Sequence, residues 1–438
     1  SKFLTYAFEV YSEEEIKNFI QESNNHQWPE DWIRVQGRVY GELILEVKVD
    51  PNIFELLENE DVEIVSHKTL ISICGRYELQ SMAKEWLEIN GLSGVRTSFF
   101  EDISLKIDYI NNQSFDLIVD DLEEVLKRIS PEIVKLHFSN KSSLYFSSLN
   151  WKDILTLLKN VRPKKIERLA ANTFLIETEK GKKVLKRNEN AERLQREKCA
   201  ARLGLCSRKL YADGDEFILY DYIDNLKSIK FDSDFSLKYK DFFNRLQKQK
   251  SMIDFQATHG VKCEKDYYKN IEERLFFEFS ELRESFVTIL NHLKCSPPQE
   301  SSEIELKVCF PDFFRENFYD RGGDLIVIDF ESFGQDDLCR SYLNAIHHFG
   351  HELSFFEKKE LGELFNSLKE NDDDFWNRCL RVFDLVALEW LLIASKREEN
   401  LPKVNSLVKI MLDNIRSGKR YISWEEDIAK DIHDKFKK

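Results

Sequence analysis

Cys309 to Gly334 reads CFPDFFRENFYDRGGDLIVIDFESFG, and the fold of this chain turns on that stretch. Asp312 and Asn317 stand five residues apart in a segment that reads as a loop. Leu325-Ile326-Val327-Ile328 is an apolar run with the look of a short strand, and Asp329 closes it. An Asp in that position is costly unless it is paired or bound to a metal, so its carboxylate is expected in a cleft and not in a core. Phosphoryl transfer uses this set of groups. One Asp orients the attacking hydroxyl and takes its proton, while an Asn and a second Asp hold the ion that bridges the phosphates. Asp312 is therefore the candidate catalytic residue, with Asn317 and Asp329 as candidate metal ligands. Each also has a plain structural reading. A loop Asp often bonds its own turn, and an Asn often caps one; what favours chemistry is the three together.

Outward from this stretch, the order of elements is that of a two-lobed molecule. Upstream lie three short apolar runs, Thr173–Glu177, Lys183–Lys186 and Glu216–Tyr222, with an amphipathic helix from Ala191 to Leu203 between the last two. After residue 223 the pattern is mostly helical, as in Phe231–Asp254, Tyr267–Leu293 and Phe375–Ser395, interrupted by Pro297-Pro298. Residues 1 to about 160 read as an independent α+β region. Trp32–Val49 alternates with the two-residue period of paired strands, and Leu79–Ile89, Leu122–Ile129 and Trp151–Val161 have helical spacing. Arg162-Pro163 ends the last helix, because proline disfavours helix in the residue before it. The expected fold class is thus α+β: a bilobal arrangement with a small β-rich lobe (163–222) and a large helical lobe (223–438), preceded by a separate α+β domain (1–162) that carries no recognisable chemistry.

The central stretch resembles the catalytic loop of the aminoglycoside phosphotransferase and choline kinase superfamily, a protein-kinase-like group. There an HxDxxxxN loop is followed by a hydrophobic strand ending in Asp. Asp312, Asn317 and Asp329 fall on those three positions, Ile328-Asp329-Phe330-Glu331 looks like the family's Ile-Asp-Trp-Glu, and Gln335-Asp336-Asp337-Leu338 is similar to the Gly-Asp-Pro…Asp-Leu segment after it. The resemblance extends over about residues 166 to 438. It implies that Lys186, at the end of Val184-Leu185-Lys186, grips the α- and β-phosphates of ATP, with Glu197 on the next helix as its partner and Glu192 as a second candidate. It implies a nucleotide loop at Leu169–Phe174, with Ala171 and Asn172 at its centre, and an interlobe hinge at Tyr220-Asp221-Tyr222-Ile223, where backbone groups would meet adenine. Glu331, Asp336 and Asp337 are the implied substrate contacts. The implied cofactors are ATP and Mg²⁺.

Two positions depart from the family pattern. Phe310 stands where the loop usually has His, and Ala170-Ala171 replace glycines, which restricts how closely backbone amides approach a phosphate. The run His347-His348-Phe349-Gly350-His351 places two histidines four apart, as a helical zinc pair requires, although Gly350 weakens a helix there. A partly buried helix with satisfied imidazoles is the plainer reading.

Composition sets the outer bounds. The chain has 438 residues and a net charge of −15, which argues against a nucleic-acid partner. Eight cysteines without a CxxC pair give neither a clustered zinc site nor a disulfide framework. No stretch approaches the roughly 18 apolar residues of a membrane span, and the first residues lack a signal-peptide pattern, so a cytoplasmic protein is expected. The 33 Phe read as core filler. The expected activity is transfer of a phosphoryl group from ATP to a hydroxyl of a small molecule, of the aminoglycoside, sugar or amino-alcohol type. A kinase acting on a partner protein and a silent nucleotide-binding scaffold are the rivals. Oligomeric state is not legible.

Overall fold

The computed structural model describes residues 2–4, 61–67, 87–89, 91–100, 102–139, 143–148, 151–188, 190–206, 209–278, 281–295 and 304–436. They form two compact units, one of residues 1–189 with 210–222 and one of residues 190–209 with 223–438. Position 163, the expected boundary, lies inside the first unit.

The first unit opens with a six-stranded sheet: β1 (Lys2–Leu4), β2 (Asp61–His67), β3 (Arg96–Phe100), β4 (Leu117–Asp120), β5 (Val134–His137) and β6 (Phe146–Ser147). Their order is β3-β2-β1-β4-β5-β6, and every pair is parallel. Leu117-Ile118-Val119 does not alternate because a parallel strand is covered on both faces. Ile118 packs with Ile107 and Ile110 of α1 (Ile103–Asn112) and Val125 of α2 (Glu123–Arg128), whereas Leu117 and Val119 enter a second core on the other face. The strands expected at Trp32–Val49 and most of the helix expected at Leu79–Ile89 lie outside the described residues.

That second core is shared. α3 (Trp151–Asn160) leads to an antiparallel sheet of β7 (Lys165–Ala170), β8 (Thr173–Thr178), β9 (Gly181–Arg187), β10 (Leu210–Asp213) and β11 (Phe217–Asp221), ordered β10-β11-β9-β8-β7. Phe174, Ile176, Leu185, Phe217 and Leu219 alternate onto the face that packs with Trp151, Ile154, Leu155 and Leu158 of α3. Polar contacts fix the same join. The Asp153 carboxylate accepts the backbone N–H groups of Asp215 (2.6 Å) and Glu216 (2.9 Å), and Arg187 donates to Ser147 at 2.7 Å. The three expected runs are β8, β9 and β11. β7 and β10 are the sheet's two edges and carry no buried residue, so they left no apolar period to read.

The second unit begins with α4 (Ala191–Arg202), capped by the Asn190 side chain, which accepts from the Arg193 N–H. Its remaining strands are short: β12 (Lys227–Ser228), β13 (Lys307–Cys309), β14 (Phe318–Arg321), β15 (Asp324–Val327) and β16 (Gly334–Asp336). The helices are α5 (Ser233–Lys248), α6 (Glu264–Phe276), α7 (Arg283–Lys294), α8 (Leu338–His347), α9 (Phe355–Leu368), α10 (Phe375–Ala394), α11 (Leu401–Arg416) and α12 (Glu426–Phe436). α10 is buried on nearly every side, which makes it the axis against which α6 and α8 pack. The single helical pattern expected over Tyr267–Leu293 is two helices, α6 and α7. Both units together are the sheet-rich and helical parts that the sequence predicts. No described helix is long and apolar enough to cross a membrane.

Candidate active site

The loop after β13 is nailed down by its aromatic residues. Phe310 is buried edge-on to Phe318 (5.6 Å between ring centroids) and Phe330 (5.3 Å). Phe313 is fully enclosed by Phe231 (5.5 Å), Tyr239 (5.0 Å), Phe318 (4.9 Å) and Phe365 (5.6 Å). Between these two anchors Asp312 stays accessible, with 32% of its side chain exposed. Phe231, Phe310, Phe313, Phe318, Phe330 and Phe365 thus floor this one loop. Phe310, at the position usually held by His, supports that floor by packing.

Asn317 is buried, and its amide nitrogen donates to the Asp312 backbone carbonyl (3.0 Å) and to Asp312 Oδ2 (3.3 Å). The hairpin of β14 and β15 pairs Phe318 with Val327, and the next step is the Ile328 N–H donating to the Asn317 carbonyl at 3.0 Å. Asp329 follows immediately. The strand ends at Val327, two residues before Asp329, where the sequence places the carboxylate at the strand's end. Asp329 instead occupies the left-handed region with φ +67°, a conformation that costs a non-glycine residue on the order of 1–3 kcal/mol and clusters at functional sites. The loop and the hairpin thus bring Asp312, Asn317 and the backbone leading into Asp329 together. Asn317 Oδ1 and the Asp329 carboxylate are hard oxygen donors, the kind Mg²⁺ accepts alongside water and phosphate oxygens. By donor chemistry these two side chains suit that ion.

Asp336 and Asp337, expected at a substrate, are both fully buried and occupied. Asp336 accepts from the backbone N–H groups of Val261 (2.8 Å) and Asp337 (2.9 Å), and burial pushes its carboxyl up to about 7. Asp337 caps α8 through the Cys339 N–H, takes the Tyr267 hydroxyl at 3.0 Å, and receives Arg378 at 2.9 and 3.0 Å. Neither carboxylate has a surface to offer an acceptor. They tie α6, α8 and α10 together, a role that exposure, invisible in sequence, decides. Glu331 remains partly accessible, 3.7 Å from Arg193 of α4.

The expected helix over His347–His351 stops at His347; His348 is already extended, with φ −61° and ψ 126°. His347 lies between Phe383 (4.7 Å) and Trp424 (5.3 Å), with neither ring nitrogen hydrogen-bonded. His351 Nδ1 accepts the Arg315 N–H at 3.1 Å while Nε2 donates to the Ala345 carbonyl at 3.0 Å. Both nitrogens of His351 are committed, so the two rings do not form a zinc pair. Among the described residues, no group of three or more His, Cys, Asp or Glu is placed to hold a metal.

Burial drops the His347 imidazole to about 3, from an ordinary 6.5. A histidine lowered in the fold is protonated first in the unfolded chain, so its stability contribution is lost as pH falls below 6.5. At pH 5 the deficit is about 2 kcal/mol, from roughly 1.5 units at 1.36 kcal/mol each. His347→Leu is therefore expected to gain about 2 kcal/mol on the parent between pH 7 and pH 5, read by urea unfolding at both values. An equal gap at the two pH values contradicts this.

In the first unit, Lys186 is half-buried on β9, paired across the sheet with Ile218 and Thr173, on the face opposite the core shared with α3. Its neighbour Lys183 is structural: it donates to the Asp221 carboxylate and lies 3.9 Å over the Tyr211 ring. The Asp221 side chain is thereby occupied, leaving its backbone as the part the hinge reading uses. Ala171 and Asn172 form the exposed two-residue turn between β7 and β8. The Arg168 guanidinium holds the Ala171 carbonyl at 3.1 Å, and the Arg187 N–H donates to the Asn172 carbonyl at 2.8 Å. In the second unit, Ile223 is buried and Glu197 is buried on α4, whereas Glu192 is exposed and 3.6 Å from Arg196.

No protein-family model matches the chain, and no curated protein matches it. Similar solved structures include choline kinases, aminoglycoside phosphotransferases and an amicoumacin kinase, all at low identity. A choline/ethanolamine kinase family protein from Mesorhizobium loti is 16% identical over 56% of this chain and 86% of its own, with a TM-score of 0.41. A choline kinase from Cryptosporidium parvum is 12% identical over 61% and 93%, with a TM-score of 0.42. An amicoumacin kinase in complex with AMP-PNP, Ca²⁺ and Ami is 13% identical over 65% and 93%, with a TM-score of 0.42.

Proposed function

We propose that the chain is an ATP- and Mg²⁺-dependent phosphotransferase that acts on a hydroxyl group of a small molecule, of the aminoglycoside, sugar or amino-alcohol type. The observation that carries this reading is the tie between Asn317 and Asp312: the amide fixes one oxygen of an accessible carboxylate beside the residue that leads, through the Ile328 contact, to Asp329. Asp312 orients the acceptor hydroxyl and receives its proton. The acceptor oxygen bonds to the γ-phosphorus as the bridge to the β-phosphate breaks, and ADP leaves. Asn317 and Asp329 would hold Mg²⁺, which neutralises charge on the phosphates. Lys186, with Glu197, is assigned to the nucleotide phosphates, and the turn at Ala171-Asn172 and the backbone of Asp221 and Ile223 to the nucleotide; Glu331 is the remaining candidate for the acceptor. A cytoplasmic site of action goes with this reading.

Incubation with γ-labelled ATP, Mg²⁺ and cell extract tests it. Label entering small metabolites is the expected result, and label entering protein supports the rival protein-kinase reading. Transfer that persists without Mg²⁺, or no transfer at all, counts against the proposal.

A further inference from the structure

The histidine run that makes no zinc pair has another use. Together with Asn344 of α8, it meets the loop that carries Asp312 at three points. Asn344, in the last turns of α8, donates through Nδ2 to the Pro311 carbonyl at 2.8 Å. His351 Nδ1 accepts the Arg315 N–H, as described above. Between them His348 Nε2 stands 3.6 Å from Asp312 Oδ1, the carboxylate oxygen opposite the one that Asn317 approaches.

His348 is held by its surroundings. Its ring stacks on Phe314 at 4.5 Å with an interplanar angle of 15° and meets Trp390 of α10 at 4.3 Å. The Trp390 indole N–H donates to Asn344 Oδ1 at 3.0 Å, so the wall of the ring's slot is bonded to the residue that holds Pro311. The Gly350 N–H donates to His348 Nδ1 at 2.9 Å. Because Nδ1 accepts, a neutral His348 carries its proton on Nε2, the atom that faces Asp312. Gly350 also admits the ring: a β-carbon there would stand 2.7 Å from His348 Cε1 and 2.8 Å from Phe314 Cε2, closer than atoms pack.

We infer that His348 is a positioning residue for Asp312, offering an Nε2–H to Oδ1 while Asn317 holds Oδ2. This rests on the phosphotransferase reading above. The separation of 3.6 Å is longer than a hydrogen bond; such contacts tighten when a substrate occupies the site. The loop has Phe310 where an imidazole is usual, and the imidazole beside the Asp comes instead from the end of α8. A polar clamp on both oxygens leaves the carboxylate one orientation toward an incoming hydroxyl, which raises turnover without changing nucleotide affinity.

The test compares the parent with Asp312→Ala, His348→Phe and His348→Gln, using Mg²⁺-ATP with water as acceptor and following phosphate release. Phe keeps the stack and removes the donor; Gln restores a donor near the Nε2 position. His348→Phe is expected to lower kcat about ten- to hundredfold with KM for ATP within about twofold of the parent, and His348→Gln to recover most of the loss. Independently of turnover, long-range ¹H–¹⁵N spectra of the full chain are expected to show His348 as the Nε2–H tautomer, with its ring shifts moved by Asp312→Ala. His348→Phe matching the parent, Gln failing to rescue, or an Nδ1–H ring overturns the inference even when Asp312→Ala abolishes turnover. If Asp312→Ala equals the parent, or the parent transfers phosphate neither to water nor to any acceptor in cell extract, the phosphotransferase reading itself falls, and this inference with it.

Discussion

Asp312→Ala is expected to lower Mg²⁺-dependent transfer from ATP by about 10²–10⁴-fold, the usual contribution of a general base. The side chain bears little on the fold. It is one-third exposed, and its carbonyl, which Asn317 and Phe314 use, survives the substitution. The variant should therefore unfold at nearly the parent's denaturant midpoint and bind nucleotide as before. Asp312→Asn separates two functions: it keeps an oxygen for Asn317 Nδ2 but cannot take a proton, so it should be nearly as inactive as Ala. Activity within about threefold of the parent in either variant would remove Asp312 from the chemistry.

Asp337→Ala is expected to destabilise the second unit by about 3–5 kcal/mol, the cost of stranding a buried charge. Asp337 is fully buried and takes Arg378 through two nitrogens, Tyr267 through its hydroxyl and the Cys339 N–H at the start of α8. Its loss unpairs the hydroxyl and a helix cap, and leaves the Arg378 guanidinium, itself buried, dependent on Asp372 at 2.5 Å and Asp374 at 3.7 Å. Those remaining acids place the expectation at the lower end of the range. Urea unfolding measures it, and a loss below about 1 kcal/mol would show that the neighbouring acids carry Arg378 alone. The same measurement distinguishes the two aspartate classes: Asp312 matters to turnover and Asp337 to folding.

The sequence made the central loop legible because its residues are chemically expensive. An Asp after a run of aliphatic residues and an Asn five residues beyond another Asp are hard to explain as filler, and the fold brings their backbones together. What failed was exposure. Asp336 and Asp337 lie only a few residues beyond Asp329 and look alike in one dimension, yet the first two meet backbone N–H groups and arginines in the interior. His347 to His351 misled for a related reason. A four-residue spacing implies one helical face only while the helix continues, and α8 stops at His347. The parallel sheet was hidden because strands covered on both faces lose the alternation by which strands are recognised, and β7 and β10 because edges need not be apolar at all.

The antiparallel sheet of the first unit turns Phe174, Ile176, Leu185, Phe217 and Leu219 toward α3 and the strands beyond it. A fragment trimmed to start at residue 163 would bare that whole greasy surface to solvent, an invitation to self-association. Whatever the opening stretch does besides, it acts as a permanent lining for its neighbour's sheet, and the portion bearing Lys186 is not a cassette that can be cut free and still be expected to stay in solution.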